Sequence, residues 1–305
     1  MTNKICMGAG LVSLDVLMRG DDNQNVTYSV GGTCGNVMMI LQYMGWKSYP
    51  IARLDGTHYS SMVINEMKKN HVNTNFIEKD GQTPVIIQIN IIDKYGRPSH
   101  KFVIKDKKGR FSLGFKSITL KQKETILSKL DFEPFLFFYD RISPAILNMA
   151  SELRERGVMI FFEPSVKPST KGFERALELS HVVKFANQRI DNTDFTDKYT
   201  DKLFIQTLGS EGLRFKYKEV WKLLKPVENA HVIDTSGAGD WTSAAFVNYM
   251  HLNTPGFEHW NQQMICKGLS YAQKIASLSC SYEGARGLMS QSFKSVIEKL
   301  NLKNE

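Results

Sequence analysis

The chain has 305 residues, 42% of them hydrophobic and 23% charged, with a net charge of +8; this is enough for one large core with an appendage, and no stretch approaches the roughly 20 apolar residues of a membrane span. The basic residues are dispersed, the densest cluster being the short KDKKGR at 105–110, so neither nucleic acid nor a membrane is an expected partner. The N-terminal segment lacks the apolar stretch and cleavage site of a secretory signal, and the four scattered cysteines form no CxxC pair, so a cytoplasmic protein with buried thiols, and neither a zinc site nor a disulfide framework, is expected.

Taken in chain order, KICMGAGLVSLDV (4–16) predicts a strand. Val37, Ile40, Leu41 and Met44 recur at helical spacing, and Gly45 is placed to end that helix. VIIQINII, the turn-forming DKYGRP and SHKFVIK predict a β-hairpin, either a lid over a site or an ordinary edge hairpin. Ile146, Leu147, Ala150 and Leu153 predict another helix with Gly157 at its end, followed by the buried strand VMIFFEP. HVVKFA from His181 and KLFIQTLG from Lys202 predict two more strands. This alternation is that of an α/β fold with a mostly parallel sheet, whose ligands gather at the carboxyl ends of the strands.

HVIDTSGAGDWTSAAF (231–246) then reads as the end of a buried strand, a turn of small residues and a helix. Gly237 and Gly239 allow backbone conformations closed to other residues, and unpaired N–H groups at such a turn attract anions. Asp240 in the same turn is open to two readings. It is either an N-terminal helix cap or a general base that takes a proton from a hydroxyl attacking a phosphoryl group, with the amides of Gly237, Ala238 and Gly239 facing the charge that develops. The GxxxxGK[ST] phosphate loop is absent, and Gly8 and Gly10 lack the third glycine of a dinucleotide fingerprint.

DTSGAGD (234–240) closely resembles the signature of the ribokinase-like (PfkB) carbohydrate kinases. GGTCGNVMMILQYMGW (31–46), TLGSEG (207–212) and AQKIASLSCSYEGA (272–285) are similar to other segments of that family. The resemblance implies a ribokinase-like layered α/β fold, a single domain over 1–305 whose β-lid comes from about 12–30 and 83–115. It implies ATP-dependent phosphorylation of a hydroxyl on a monosaccharide or sugar-like molecule, with Asp240 as base and the 237–239 backbone as anion hole. Asp15, at the end of the first strand, and Gly31, Gly32 and Asn36 would bind the acceptor. Asn187, Thr207, Gly209, Gly212 and Gln273 would lie on the nucleotide side. The implied cofactors are ATP and Mg²⁺, with a monovalent cation such as K⁺ as an addition, and the lid suggests a homodimer. From the residues alone, Asp15 reads rather as a turn aspartate, Asn36 as a helix cap, and the TLGSEG glycines as a strand-ending turn.

The chain departs from the family in several places. ARLDGTHYSS replaces the GxDxxG-like loop, and Thr33 and Cys34 interrupt the ribokinase GGKGAN. Ile190 stands where an NxxE motif has its glutamate, and Ser165 and Lys167 replace the asparagine and arginine of some sugar-acid and fructose kinases. Two further readings therefore share these residues: a nucleoside kinase of the same fold, with Phe102, Phe111 and Phe115 available for stacking, and a catalytically retired ligand-binding or regulatory homologue.

Overall fold

The computed structural model of the chain describes residues 3–19, 22–92, 98–104, 114–165, 171–229, 231–254 and 256–302. In chain order its elements are β1 (Ile5–Ala9), β2 (Ser13–Arg19), β3 (Asp22–Gly31), α1 (Thr33–Tyr43), β4 (Lys47–Arg53), α2 (His58–Lys69), β5 (Ile77–Glu78), β6 (Val85–Ile92) and β7 (Pro98–Val103). They continue with α3 (Leu120–Ser128), β8 (Leu136–Tyr139), α4 (Pro144–Glu155), β9 (Met159–Phe162), α5 (Lys171–Leu179), β10 (Val182–Ala186), β11 (Leu203–Thr207), β12 (Leu213–Tyr217), β13 (Val220–Leu224), α6 (Ala238–Asn253), α7 (Gln262–Ser279) and α8 (Phe293–Lys299).

Among the described residues nine strands form the main sheet in the order β13-β12-β11-β10-β9-β8-β1-β4-β5, parallel except where β12 and β13 turn back as antiparallel neighbours. Its central strands read as unbroken apolar runs, LFFY and MIFF, because helices cover both faces and every residue of these strands is buried. On one face Phe138 and Phe161 pack with Leu41 of α1, Phe246 of α6 and Leu269 of α7. On the other, Phe137, Tyr139 and Phe162 pack with Ile146 of α4 and Leu177 of α5. A second, four-stranded sheet has the order β3-β2-β6-β7, and Val12, Leu14 and Val30 at its base share a smaller core with Val63 and Met67 of α2.

Three sequence expectations need correction. Residues 4–16 are not one strand but two, in different sheets. At the end of β1 the Asp140 carboxylate takes the Leu11 N–H at 2.8 Å, and Leu14 N–H then turns to Pro84 O at 2.8 Å, so the chain leaves the main sheet. Asp15 accordingly lies inside β2, opposite Ser29 and Ile86, rather than at the end of the first strand. HVI before the glycine turn is not a strand: Val232 and Ile233 are exposed, and the N–H groups of Ile233 and Asp234 both donate to Cys280 O, at 2.7 and 3.1 Å. That segment is an irregular strap held by the end of α7. Of the four cysteines, Cys6 and Cys34 are buried and Cys266 and Cys280 half-buried, all as free thiols. KDKKGR, Phe111 and Lys167 lie outside the described residues.

Because Phe138 is wholly buried beside Phe161, with ring centroids 5.5 Å apart, Phe138→Ala is expected to cost about 3–5 kcal/mol of unfolding free energy. Urea denaturation measures this, and a loss below about 1 kcal/mol would contradict the packing described.

Candidate active site

The turn before α6 is shaped by its neighbours. Gly237 is left-handed at φ 75°, and a side chain there would meet Ala285 O at 2.5 Å, so the turn excludes any larger residue. Gly239, by contrast, is already helical, with Lys184 Nζ 3.5 Å from where a side chain would begin. Trp241 N–H donates to Gly237 O at 2.9 Å and Ala238 N–H to Thr235 O at 3.3 Å. The amides of Gly237, Gly239 and Asp240 have no hydrogen-bond acceptor among the described residues, which is the open-ended first turn that favours anions.

Asp240 does not cap this helix. Gly237 occupies the cap position, and the Asp240 side chain instead accepts a hydrogen bond from Asn36 Nδ2 at 2.7 Å. The carboxylate is buried, and its proton affinity is raised to about 8, first by burial and then by the nearby Glu163 carboxylate, against the opposing effects of Asn36, Lys184 and Arg189.

Glu163 and Lys184 form a buried ion pair, and Ser243 Oγ donates to Glu163 Oε2 at 2.6 Å. Glu163 follows β9 and Lys184 lies within β10, so the carboxyl edge of the sheet holds a charge pair directly beside the first turn of α6. Sequence reasoning did not single out either residue. Their signal was present as one charge within the apolar runs VMIFFEP and HVVKFA, since a charge in a buried strand needs a partner.

On the other side, Asp15 is held by Ser13 Oγ at 2.8 Å. Burial raises its proton affinity to about 6; Ser13 and Arg286 oppose the shift and Glu66 adds to it. Gly31 is small because Asp15 faces it: a side chain there would fall 1.9 Å from the carboxylate. Gly32 caps α1, and Asn36 is buried one turn later. Asp15 and Gly31 are thus linked to Asn36 and Asp240 through Arg286, which, with Glu66, the sequence did not flag. Arg286 Nη1 donates to Asn36 Oδ1 at 2.8 Å, and its Nη2 meets Glu66 Oε1 at 2.6 Å.

Asp234 ties the second sheet to the same turn. Its Oδ2 accepts from Gln88 at 3.0 Å, Asn90 at 3.1 Å and the Gly284 amide at 3.0 Å, and its Oδ1 from the Ser236 amide at 2.9 Å. Burial opposes ionisation there, but the hydrogen bonds outweigh it and hold Asp234 below its usual range.

Of the remaining expected residues, Asn187 follows β10 and its N–H donates to Thr207 O at 3.0 Å, joining two strand ends. Gly209 and Gly212 bound the short turn after β11, closed by Leu208 N–H to Gly212 O at 2.9 Å. Gln273 of α7 donates to Lys225 O at 3.2 Å. Ile190, in the place of the motif glutamate, is fully buried in the core and cannot act as a polar ligand. Phe102 is exposed, and Phe115 stands 6.0 Å from the Arg141 guanidinium. Among the described residues no group of three or more His, Cys, Asp or Glu is placed to hold a metal, and no helix is long and apolar enough to cross a membrane.

The sequence pattern of the pfkB family carbohydrate kinases matches residues 10–291. The chain belongs to that family: it is a carbohydrate kinase with the ribokinase-like fold. Among curated proteins, probable fructokinase-5 of Arabidopsis thaliana is 24% identical over 285 residues, covering 84% of this chain and 83% of the relative. A fructokinase double mutant from Vibrio cholerae O395, solved with fructose, ADP and potassium, superimposes with a TM-score of 0.76 at 16% identity, covering 98% of this chain and 99% of the other. Arabidopsis thaliana ribokinase with ribose and ATP gives 0.69 at 16% identity, covering 99% and 100%.

The Asp240 carboxyl binds its proton more tightly folded than unfolded, so protonation favours the fold. That contribution is complete below about pH 4 and is lost as pH rises through about 8. Asparagine mimics the protonated acid without this loss. The Tm advantage of Asp240→Asn over wild type should therefore widen between those pH values and level off above them, as read by calorimetry. A pH-independent difference would contradict the buried, proton-retaining carboxyl.

Proposed function

We propose that the chain transfers the γ-phosphoryl group of ATP to a hydroxyl of a monosaccharide or sugar-like acceptor, with Asp240 as general base. The observation that carries this reading is the buried Asp240 carboxylate, held by Asn36 at 2.7 Å in a helical first turn where the amides of Gly237, Gly239 and Asp240, though not that of Ala238, have no acceptor among the described residues, in a chain of the carbohydrate kinase family. The acceptor lies against Asp15, Gly31, Gly32 and Asn36, where a carboxylate and an amide hold hydroxyl groups directionally. Its reacting hydroxyl gives its proton to Asp240 as the oxygen attacks the γ-phosphorus, whose bond to the β–γ bridging oxygen breaks to release ADP. The open amides of Gly237, Gly239 and Asp240 offset the charge on the transferred group, and a base whose proton affinity is raised toward the working pH suits this step.

ATP approaches from the side of Asn187, Thr207, Gly209, Gly212 and Gln273. The two solved neighbours described above hold ADP or ATP with a sugar, which supports this arrangement. The described residues supply no metal cage, so Mg²⁺ would arrive on the triphosphate oxygens with water, where it neutralises phosphate charge. The potassium in the fructokinase neighbour supports a test of K⁺ dependence. The four-stranded sheet acts as the lid that keeps water from the acceptor, and Tyr28 and Ile91, exposed on it, support a homodimer through that sheet.

Asp240→Asn is expected to keep ATP binding and to lose a factor of about 10² to 10⁴ in turnover. Screening wild type and variant for ATP-dependent phosphorylation of ketoses, pentoses, hexoses, sugar acids and nucleosides checks this, and near-wild-type turnover in the variant would remove the base. Asp15→Ala should raise the acceptor KM while leaving the KM for ATP near wild type; the same steady-state assay tells the two apart.

A further inference from the structure

We infer that Arg286 is a positioning residue: it fixes which end of the Asn36 amide faces Asp240, so that an N–H and not an oxygen meets the catalytic carboxylate. The inference rests on the reading of Asp240 as the base, but its test does not depend on turnover.

An asparagine amide presents an acceptor at one end and donors at the other. Here Asn36 Oδ1 accepts from Arg286 Nη1 at 2.8 Å while Nδ2 donates to Asp240 Oδ2 at 2.7 Å. Turned over, the amide would set its NH₂ against the guanidinium and its oxygen against the carboxylate, two repulsive contacts in a buried site. Arg286 cannot yield to permit this. Its side chain is 7% exposed, Nη2 is paired with Glu66 Oε1 at 2.6 Å, and Nη1 also donates to Val30 O. Glu66 is fixed in turn, since its Oε2 accepts the Val30 N–H at 2.5 Å. Both backbone groups of one β3 residue therefore clamp the ion pair, and the planar guanidinium fork reaches three acceptors that a lysine ammonium could not meet in the same geometry.

The consequence falls on the Asp240 proton. Burial and Glu163 favour its retention, and the N–H of Asn36 is the strongest opposing influence, ahead of the charges of Lys184 and Arg189. The other charged groups of the cluster are Asp15 on β2 and Glu66 on α2, both close to Arg286. With the amide free to turn, the ionised base loses the Asn36 donor and holds its proton to higher pH.

The test is a ¹³C-carboxyl NMR titration of Asp240 in the ligand-free protein, with Asp240→Asn identifying the resonance. Arg286→Met should move the Asp240 midpoint upward by about one pH unit, a tenfold change in the ionisation equilibrium. Glu66→Gln, at a half-buried position, should move it in the same sense by less, and it carries the test alone if Arg286→Met does not fold. In an Asn36→Ala background, replacing Arg286 or Glu66 should produce no further movement. An unmoved midpoint in the single variants overturns the inference; so does an equal movement in the Asn36→Ala background, which would mean that the guanidinium acts by charge alone. Should the midpoint move as expected while Asp240→Asn retains turnover, the positioning role stands and the assignment of the base falls.

Discussion

A carboxylate taken out of water is held by its hydrogen bonds or it does not stay ionised. At Asp240 the protein provides one short side-chain donor, Asn36, and sets a second carboxylate, Glu163, close enough to work against ionisation. The balance produces a group poised between its two protonation states at the open end of a helix. Its neighbours place this group or restrain what surrounds it. Gly237 permits the turn, Ala285 packs beneath it, and Lys184 neutralises Glu163 beside it.

The fold supplies these parts from distant stretches of chain. Asn36 comes from α1, Glu163 and Lys184 from neighbouring strands of the main sheet, Asp15 from the second sheet, and Glu66 from α2. A parallel sheet brings its carboxyl ends to one edge, and there Glu163 and Lys184, far from Gly239 in sequence, meet the first turn of α6. The second sheet is anchored to that edge twice: through Asp234, which binds Gln88 and Asn90 of β6, and through Glu66 and Arg286, which hold Val30 of β3. Movement of the sheet thus bears on the same turn that carries Asp240 and on the Asn36 amide that faces it.

Much of the architecture could be read from the chain. The apolar runs of the central strands and the helical spacing of Val37 to Met44 state their own periods, and DTSGAGD is specific enough to indicate a family. Short-range pattern failed where long-range contacts decide. Residues 4–16 look continuous, yet the Leu11 N–H is claimed by Asp140, more than a hundred residues away. HVI looks like a buried strand, yet Cys280 O takes the amides of Ile233 and Asp234, and the Val232 and Ile233 side chains are exposed. Glu163 and Lys184 carried a legible signal as charges inside apolar strands. Arg286 and Glu66 carried none: a charged residue after a helix or on an amphipathic one is ordinarily solvated, and their pairing exists only once α2 and the turn after α7 are brought together.

The central claim is that one carboxylate and the neighbouring amides act together on an alcohol and a phosphoryl group. It is tested most directly by a crystal structure with ADP, aluminium fluoride and the preferred acceptor. The account predicts the acceptor hydroxyl about 2.6–3.2 Å from an Asp240 oxygen and the fluoroaluminate against the amides of the 237–240 turn. An acceptor hydroxyl turned away from Asp240, or a fluoroaluminate bound elsewhere, would contradict it.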